Sequence, residues 1–399
     1  MAGVFANRER GRFELMGARR RLLIEGWRFL PHSYALVAQS HCLCLLHRDD
    51  IELRFSDLPY YRDTWRRTRG VFTPEEEEVL AALRAPEEGF AAEATFTMRP
   101  ERPDFSEPRS GRRFAFGTAE YRVLRESNRS GLGSGTQVPE TVSVVSPSRW
   151  SALAYERFGL PPERIRVVPH GIDPGILHPD PEARSATRGA LGTQGAFVFL
   201  SVGAMTWNKG LDLLLAAFAH VAETEPDARV ILKGADALYP SRDMLQEVLT
   251  DLSARARETV AGKLLYHGET YSCRRMADLL RAADVYVSPY RAEGFNMPVL
   301  DAAACGVPVI CTAGGPTDEF VREDFARRIR STPLKVRFNA TDVGDYLEPD
   351  VEHLVELMRR AMRERDDAER TGAVGAAHVA QNFTWERVTE RLVEALFSW

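Results

Sequence analysis

A chain of 399 residues is longer than a single hydrophobic core usually serves, so two domains are expected. Its 44% apolar and 27% charged residues are ordinary for a globular protein, and a net charge of −5 gives no support for nucleic acid as the main partner. No apolar run reaches the ~18 residues a membrane-spanning helix needs, and five cysteines, an odd number without zinc-like pairing, fit free thiols in a reducing cytosol.

The first 20 residues read as a flexible tail. Arg8, Arg10, Arg12 and Arg19 to Arg21 make it basic, and it lacks the apolar stretch of a secretory signal. Such a start can touch an anionic bilayer weakly, although Glu9 and Glu14 dilute its charge, and a solvated tail is the simpler reading. A strand over 21–27, a helix over 33–46 and a strand over 51–55 then form a strand–helix–strand unit of the kind that builds parallel sheets. Ligands gather where strands end and helices begin, which makes the loop 27–33 a candidate wall of a site.

From 58 to 113 the pattern is weaker. Pro74 and the acidic run Glu75 to Glu78 open a solvated helix, and 90–98 and 113–117 read as strands. Thr118 and Glu120 follow directly at the same sheet edge. Gly131-Leu132-Gly133-Ser134-Gly135 has a phosphate-loop look but opens no periodic helix, so it is a flexible loop. A buried strand over 142–146 and a helix from Pro147-Ser148-Arg149-Trp150 to near Gly159 precede the turn His170-Gly171-Ile172-Asp173, where Gly171 is expected in a backbone conformation that other residues resist. The Pro-, Gly- and Asp-rich stretch 174–194 reads as linker and hinge.

The second domain opens with a strand ending in Gly203, then Met205-Thr206-Trp207-Asn208-Lys209-Gly210 and an apolar helix over 211–221. Strands at 229–234, 264–269 and 284–288 follow. The last delivers Arg291-Ala292-Glu293-Gly294-Phe295-Asn296, which runs into a helix opened by Pro298 and stopped at Gly306. A helix N-terminus offers unpaired N–H groups and about half a positive charge, a suitable seat for a phosphate. Glu293 lies ahead of that helix, and Asp301 is expected in its first turn. Two readings stand on spacing alone: two acids framing a phosphate-linked ligand, or a solvated loop acid and a carboxylate that merely complements the helix dipole. A helix capped at Thr384 and running over 385–396 closes the chain.

Glu293-Gly294-Phe295-Asn296-Met297-Pro298, followed by Asp301, a small-residue helix and Gly306-Val307-Pro308-Val309, resembles the E-x7-E signature of the retaining GT-B glycosyltransferases of family 4, with Asp301 where glutamate is usual. Val168-Pro169-His170-Gly171-Ile172-Asp173 is similar to the segment that closes the first domain in that family, and Lys209-Gly210 matches its diphosphate-holding pattern. Ala204 stands where that pattern has arginine, so Arg274, Arg275 or Arg291 would have to substitute.

The resemblance implies an α/β architecture: two Rossmann-like, doubly wound parallel-sheet domains facing a central cleft. An acceptor domain would cover 21–178 and a nucleotide-sugar donor domain 179–383, with a helix over 384–399 returning to the first. It implies donor contacts at Gly203, Lys209, Gly210, His267, Gly268, Glu293, Gly294, Phe295, Asn296, Met297 and Asp301, with Lys209 and Glu293 catalytic. Acceptor contacts fall to His32, Ser33 and Glu120. For these the plain alternatives stay open: Ser33 as a helix cap, His32 as a surface residue, Glu120 in a structural ion pair. The implied chemistry is transfer from a nucleoside-diphosphate sugar to a hydroxyl acceptor without a required metal or other cofactor. A nucleotide-sugar epimerase, a sugar phosphorylase or an inactive sugar-nucleotide-binding subunit shares the architecture.

Overall fold

The computed structural model describes residues 19–99, 103–125 and 137–398, so the basic opening segment before Arg19 and the Gly131 to Gly135 run lie outside the described residues. Six strands, β1 (Arg20–Gly26), β2 (Ile51–Asp57), β3 (Ala94–Thr97), β4 (Arg112–Phe116), β5 (Val142–Ser146) and β6 (Ile165–Val167), form a first sheet in the order β2-β1-β3-β4-β5-β6. Every pairing in it is parallel. Crossover helices cover parallel sheets on both faces, so these strands are apolar along most of their length.

The helix Ser33–Leu46 is capped by His32, whose Nδ1 accepts from the Tyr34 amide at 3.2 Å. This corrects the reading of Ser33 as cap and His32 as a surface residue. Ser33 is exposed, and His32 is wedged against Trp27 and Trp65 with ring centroids 5.3 and 5.4 Å away.

A second parallel sheet is built from β7 (Phe197–Val202), β8 (Ala228–Lys233), β9 (Leu264–His267), β10 (Val285–Ser288), β11 (Val309–Thr312) and β12 (Ala326–Ile329), in the order β12-β11-β10-β7-β8-β9. Strand order reverses between β7 and β10, the switch point at which open α/β sheets leave a crevice. The stretch read as linker holds a helix instead, Pro181–Leu191, started by Asp180 accepting from the Ala183 amide at 2.9 Å. Its arginines explain why: Arg184 and the buried Arg188 pair with the buried Asp284 at 2.6 and 2.9 Å, fastening the helix to the second domain.

An antiparallel hairpin, β13 (Ser331–Arg337) and β14 (Val343–Pro349), follows β12 and reaches across to the first domain. There the Asp345 amide donates to Tyr121 O at 2.7 Å, while its carboxylate meets Arg122 at 3.1 Å and Arg157 at 2.5 Å.

The chain crosses between domains twice, and the crossings touch. Ile172 N donates to Phe383 O at 2.7 Å and Trp385 N donates to Ile172 O at 3.0 Å. Gly171 is needed for this close approach rather than for an unusual conformation: its φ is not positive, and a Cβ there would fall 2.8 Å from Trp385 N. Beyond the second crossing the helix Trp385–Phe397 buries Val388, Leu392, Val393 and Leu396 in one core with Leu22, Ile24 and Val37 of the first domain. Among the described residues no helix is long and apolar enough to cross a membrane.

Candidate functional site

The loops after β7 and β10 meet at the switch point. Trp207–Lys209 forms one 3-10 turn, and Gly210 follows with φ 71° to open the helix Leu211–Ala222. The Asn208 carbonyl accepts from the Arg291 and Ala292 amides at 2.7 and 3.2 Å, and Asn208 Nδ2 donates to Ala292 O at 3.1 Å. These bonds tie the two loops together and bring Lys209 Nζ to 2.8 Å from Glu293 Oε1. Gly203 lies beside the lysine stem, where a Cβ would sit 3.6 Å from Lys209 Cγ.

The first domain contributes a third charge. Glu120 Oε1 is 3.1 Å from the same Lys209 ammonium, and Glu120 Oε2 accepts from Asn208 Nδ2 at 3.1 Å. Burial opposes a charge on Lys209, but Glu120 and Glu293 outweigh it and hold its pKa above the usual lysine value. The Glu293 pKa is raised as well, by burial first and by the neighbouring Glu120, despite the pull of Lys209, and for a carboxylate this favours the neutral form. One ammonium therefore serves two carboxylates. Lys209 is the firmly charged member and Glu293 the carboxylate that takes up a proton more readily.

The loop carrying Glu293 is held from the opposite domain. Gly294 O accepts from Ser148 Oγ at 2.6 Å and Ser151 Oγ at 3.2 Å, and both serines are fully buried at the start of the helix Arg149–Arg157. Thr118 presses on the other side, so a Cβ at Gly294 would meet Thr118 Cβ at 2.9 Å. Phe295 is buried between Phe320, stacked at 4.8 Å, and His170, edge-on at 4.9 Å. Asn296 takes φ 78° and donates from Nδ2 to Ser288 Oγ at 2.9 Å, turning the chain into the helix Met297–Ala304. In return, Glu319 of the second domain accepts from the Arg149 and Trp150 amides at 3.0 and 3.2 Å. His170, read as a turn residue, is buried at this junction, where burial lowers its pKa to about 3 and keeps it neutral.

Asp301 sits in the second turn of its helix, since Met297 is the first helical residue, which corrects the first-turn placement. Among the described residues it has no charged partner within ion-pair distance, and burial raises its pKa to about 7. His267 ends β9, and Gly268 follows, its carbonyl accepting from the Asp236 amide at 2.9 Å.

Of the arginines considered for the place of Ala204, Arg291 is committed elsewhere: it pairs with Asp212 at 2.7 Å and Glu348 at 2.8 Å. Arg275 pairs with Glu269 at 3.2 Å, and Arg274 is exposed. His32 has both ring nitrogens engaged, since Nε2 meets Tyr239 Oη at 3.1 Å. Sequence reasoning did not single out Asn208, Ser148, Ser151 or Glu319. A serine just before a helix marks Ser148 as a cap, but its second bond to Gly294 spans 146 residues and has no local signal.

Residues 196–360 match the family described as glycosyl transferases group 1. The chain is 32% identical over 240 residues to a GDP-mannose-dependent monoacylated alpha-(1-6)-phosphatidylinositol monomannoside mannosyltransferase of Corynebacterium glutamicum, covering 58% of this chain and 55% of that protein. It is 28% identical over 236 residues to a D-inositol 3-phosphate glycosyltransferase of Acidothermus cellulolyticus, covering 59% and 48%. The chain thus spans about half the length of the curated relatives it matches. Among solved structures, Anabaena HepE in complex with UDP and glucose superposes with a TM-score of 0.67 at 14% identity over 96% of this chain and 100% of that one. WaaG, a glycosyltransferase involved in lipopolysaccharide biosynthesis, does so with 0.59 at 14% identity over 95% and 100%. The fold these share with the chain is GT-B.

Proposed function

We propose, from the match of residues 196–360 to the group 1 glycosyltransferases, that the protein transfers a sugar, with retention of configuration, from a nucleoside-diphosphate sugar to a hydroxyl acceptor. The observation that carries the reading is the 2.8 Å contact of Lys209 with Glu293 at the sheet's switch point, directly ahead of a helix N-terminus. As the bond from the anomeric carbon to the phosphate oxygen breaks, negative charge grows on the departing diphosphate. In this reading Lys209 and the Met297 N–H at the helix start are the donors to that charge, and no metal ion is required. The acceptor oxygen bonds to the anomeric carbon from the leaving-group face, and its proton passes to the departing phosphate oxygen.

Glu293 orients the donor sugar and supports its electron-poor transition state, while Asp301 accepts hydrogen bonds from the ribose hydroxyls. Glu120 has to release Lys209 when a diphosphate enters, and its freed carboxylate then faces the acceptor. With both ring nitrogens of His32 engaged, the acceptor side falls to Glu120 and the exposed Ser33. A relative named for a phosphatidylinositol mannoside supports an acceptor at a membrane surface, to which this protein would bind weakly from the cytoplasmic side.

The test is a panel of UDP, GDP and dTDP sugars with candidate acceptors, read by nucleoside-diphosphate release and by the NMR configuration of the product. Glu293→Gln should lower turnover by about 10²–10³-fold, the usual cost of losing one transition-state contact, and leave nucleoside-diphosphate affinity within a few-fold. Unchanged turnover removes Glu293 from the mechanism, and an isomerised donor or a free sugar phosphate points to a different reaction.

A further inference from the structure

The turn that carries Lys209 also presents a large apolar side chain to water. Trp207, two residues earlier in the same 3-10 turn, is 50% exposed, the most open of the large apolar side chains among the described residues. Trp27, Trp65, Trp150 and Trp385 are all buried. The exposed ring is nevertheless held in place. Trp207 O accepts from Arg291 Nη1 at 3.1 Å, the Arg291 guanidinium lies 4.5 Å from the ring centroid, and Tyr346 of β14 meets the ring at 5.3 Å and 61°. Arg291 is in turn clamped by Asp212 and Glu348. Covering the guanidinium needs only an aliphatic side chain, so an indole left half in water has stacking capacity that the fold does not use.

Two hydrogen bonds place this ring beside Glu120. Asn208, the residue after Trp207, donates from Nδ2 to Glu120 Oε2 at 3.1 Å, and Asp345, the residue before Tyr346, donates its amide to Tyr121 O at 2.7 Å. Trp207 and Tyr346 therefore line the same rim of the cleft as Glu120 and Tyr121. Exposure rises toward that rim, from 12% for the Glu293 side chain through 25% for Lys209 to 37% for Glu120, and Trp207 stands at the open end. Leu334 lies directly opposite Tyr346 in the hairpin and, facing the same way, widens the apolar surface. The partly exposed carboxylates of Asp212 and Glu348 border it.

We propose that Trp207, with Tyr346, is a stacking platform for a sugar ring of the acceptor, the ring next to the one whose hydroxyl reacts, so that the acceptor is a glycan or a sugar-bearing molecule rather than a simple alcohol. A pyranose has a face of C–H groups that packs on an aromatic ring and an edge of hydroxyls that donate to carboxylates, the two surfaces found together here. An acyl chain would gain from the indole, but it would strip water from Glu120, Asp212 and Glu348 and return no hydrogen bond, which is costly. The inference rests on the sugar-transfer reading above and adds to it the class of acceptor.

Saturation-transfer NMR and tryptophan fluorescence of the full chain with α-1,6-mannobiose, maltose and cellobiose test it, with calorimetry for UDP and GDP and melting temperatures for each protein. At least one disaccharide should bind and change the tryptophan emission. Trp207→Leu, which still covers Arg291 but cannot stack, should weaken that disaccharide roughly 10-fold, the scale of losing one aromatic anchor, and remove the emission change. Trp207→Phe should keep the affinity within a few-fold, and both variants should bind UDP or GDP as the wild type does. Equal disaccharide affinity in wild type and Trp207→Leu overturns the proposal, since the ring then only covers Arg291. A wild type that binds none of the disaccharides, or whose emission does not respond to the one it binds, overturns it even if the leucine variant does not fold. In each of these cases binding of UDP or GDP leaves the sugar-transfer reading intact. A chain that binds a disaccharide at Trp207 but no nucleoside diphosphate overturns that reading, and the acceptor role with it.

Discussion

Glu120 of the first domain and Lys209 of the second meet at 3.1 Å across the cleft, on the ammonium that also holds Glu293. The site is therefore not simply electropositive. With alanine at 204 and Arg291 spent on Asp212 and Glu348, the centre carries two negative charges for one positive. An incoming diphosphate therefore competes with a protein carboxylate for Lys209. Glu120→Gln removes the competitor and should tighten nucleoside-diphosphate binding by several-fold, the scale of one unit charge a few ångströms away near a protein surface after partial screening. Titration calorimetry at low and moderate salt checks this, and weaker binding in the variant would show that Glu120 supports the donor site instead.

Asp301 gives a pH signature. Its folded pKa of about 7 lies above the ordinary aspartate value of 3.8, so between those limits the folded chain holds more protons than the unfolded one. Stability accordingly falls as pH rises through this window, and the penalty is complete above pH 7. Asp301→Asn should raise the melting temperature at pH 8 and change little at pH 4. The ceiling is ~4 kcal/mol at 1.36 kcal/mol per pKa unit; partial exposure makes ~1–2 kcal/mol the realistic gain. Parallel pH profiles for the two proteins would mean that the carboxylate is solvated.

The serine pair is testable through stability and rate together. Ser148→Ala with Ser151→Ala strips both hydroxyls from the buried Gly294 carbonyl, which costs about 1–3 kcal/mol for an unsatisfied group. Urea unfolding should show this loss. Because the same carbonyl adjoins Glu293, kcat should fall more than nucleotide affinity. A double variant as stable and as fast as wild type would leave these bonds without consequence.

Asp345 anchors the hairpin to the first domain through Arg122 and Arg157, and within the hairpin it pairs with Lys335. The carboxylate is 4% exposed, while the side chains of Arg157 and Lys335 are 46% and 68% exposed. Replacement by alanine should cost ~2 kcal/mol, below the ~3–5 of a fully buried pair because the freed cations reach water. Hydrogen exchange should quicken at the Asp345 amide, which donates to Tyr121 O. Unaltered exchange there would show that the backbone bond holds the hairpin unaided.

Legibility in the sequence followed the range of the interactions. The helix Ser33–Leu46 and the helix that starts at Met297 announce themselves through local apolar pattern, proline and glycine, and the parallel α/β class follows from their alternation with buried strands. The hairpin went unread because β13, although Leu334 and Val336 alternate with Lys335 and Arg337, is short, interrupted by Pro333 and mostly exposed along its length. The helix Pro181–Leu191 was hidden by residues that usually mark loops, since what holds it is a pair of arginines reaching an aspartate almost a hundred positions away. Glu120 and Lys209 are 89 positions apart, and neither the ion pair nor its effect on the charge balance has a local trace.

The helix Trp385–Phe397 completes a core that begins at Leu22. During synthesis the first sheet emerges early, yet the apolar wedge of Val388, Leu392 and Leu396 that fills it leaves the ribosome only after the entire second domain. The nascent first half therefore waits with an open hydrophobic seam, a state in which it is exposed to chaperones and to aggregation, and the molecule closes like a clasp fastened last.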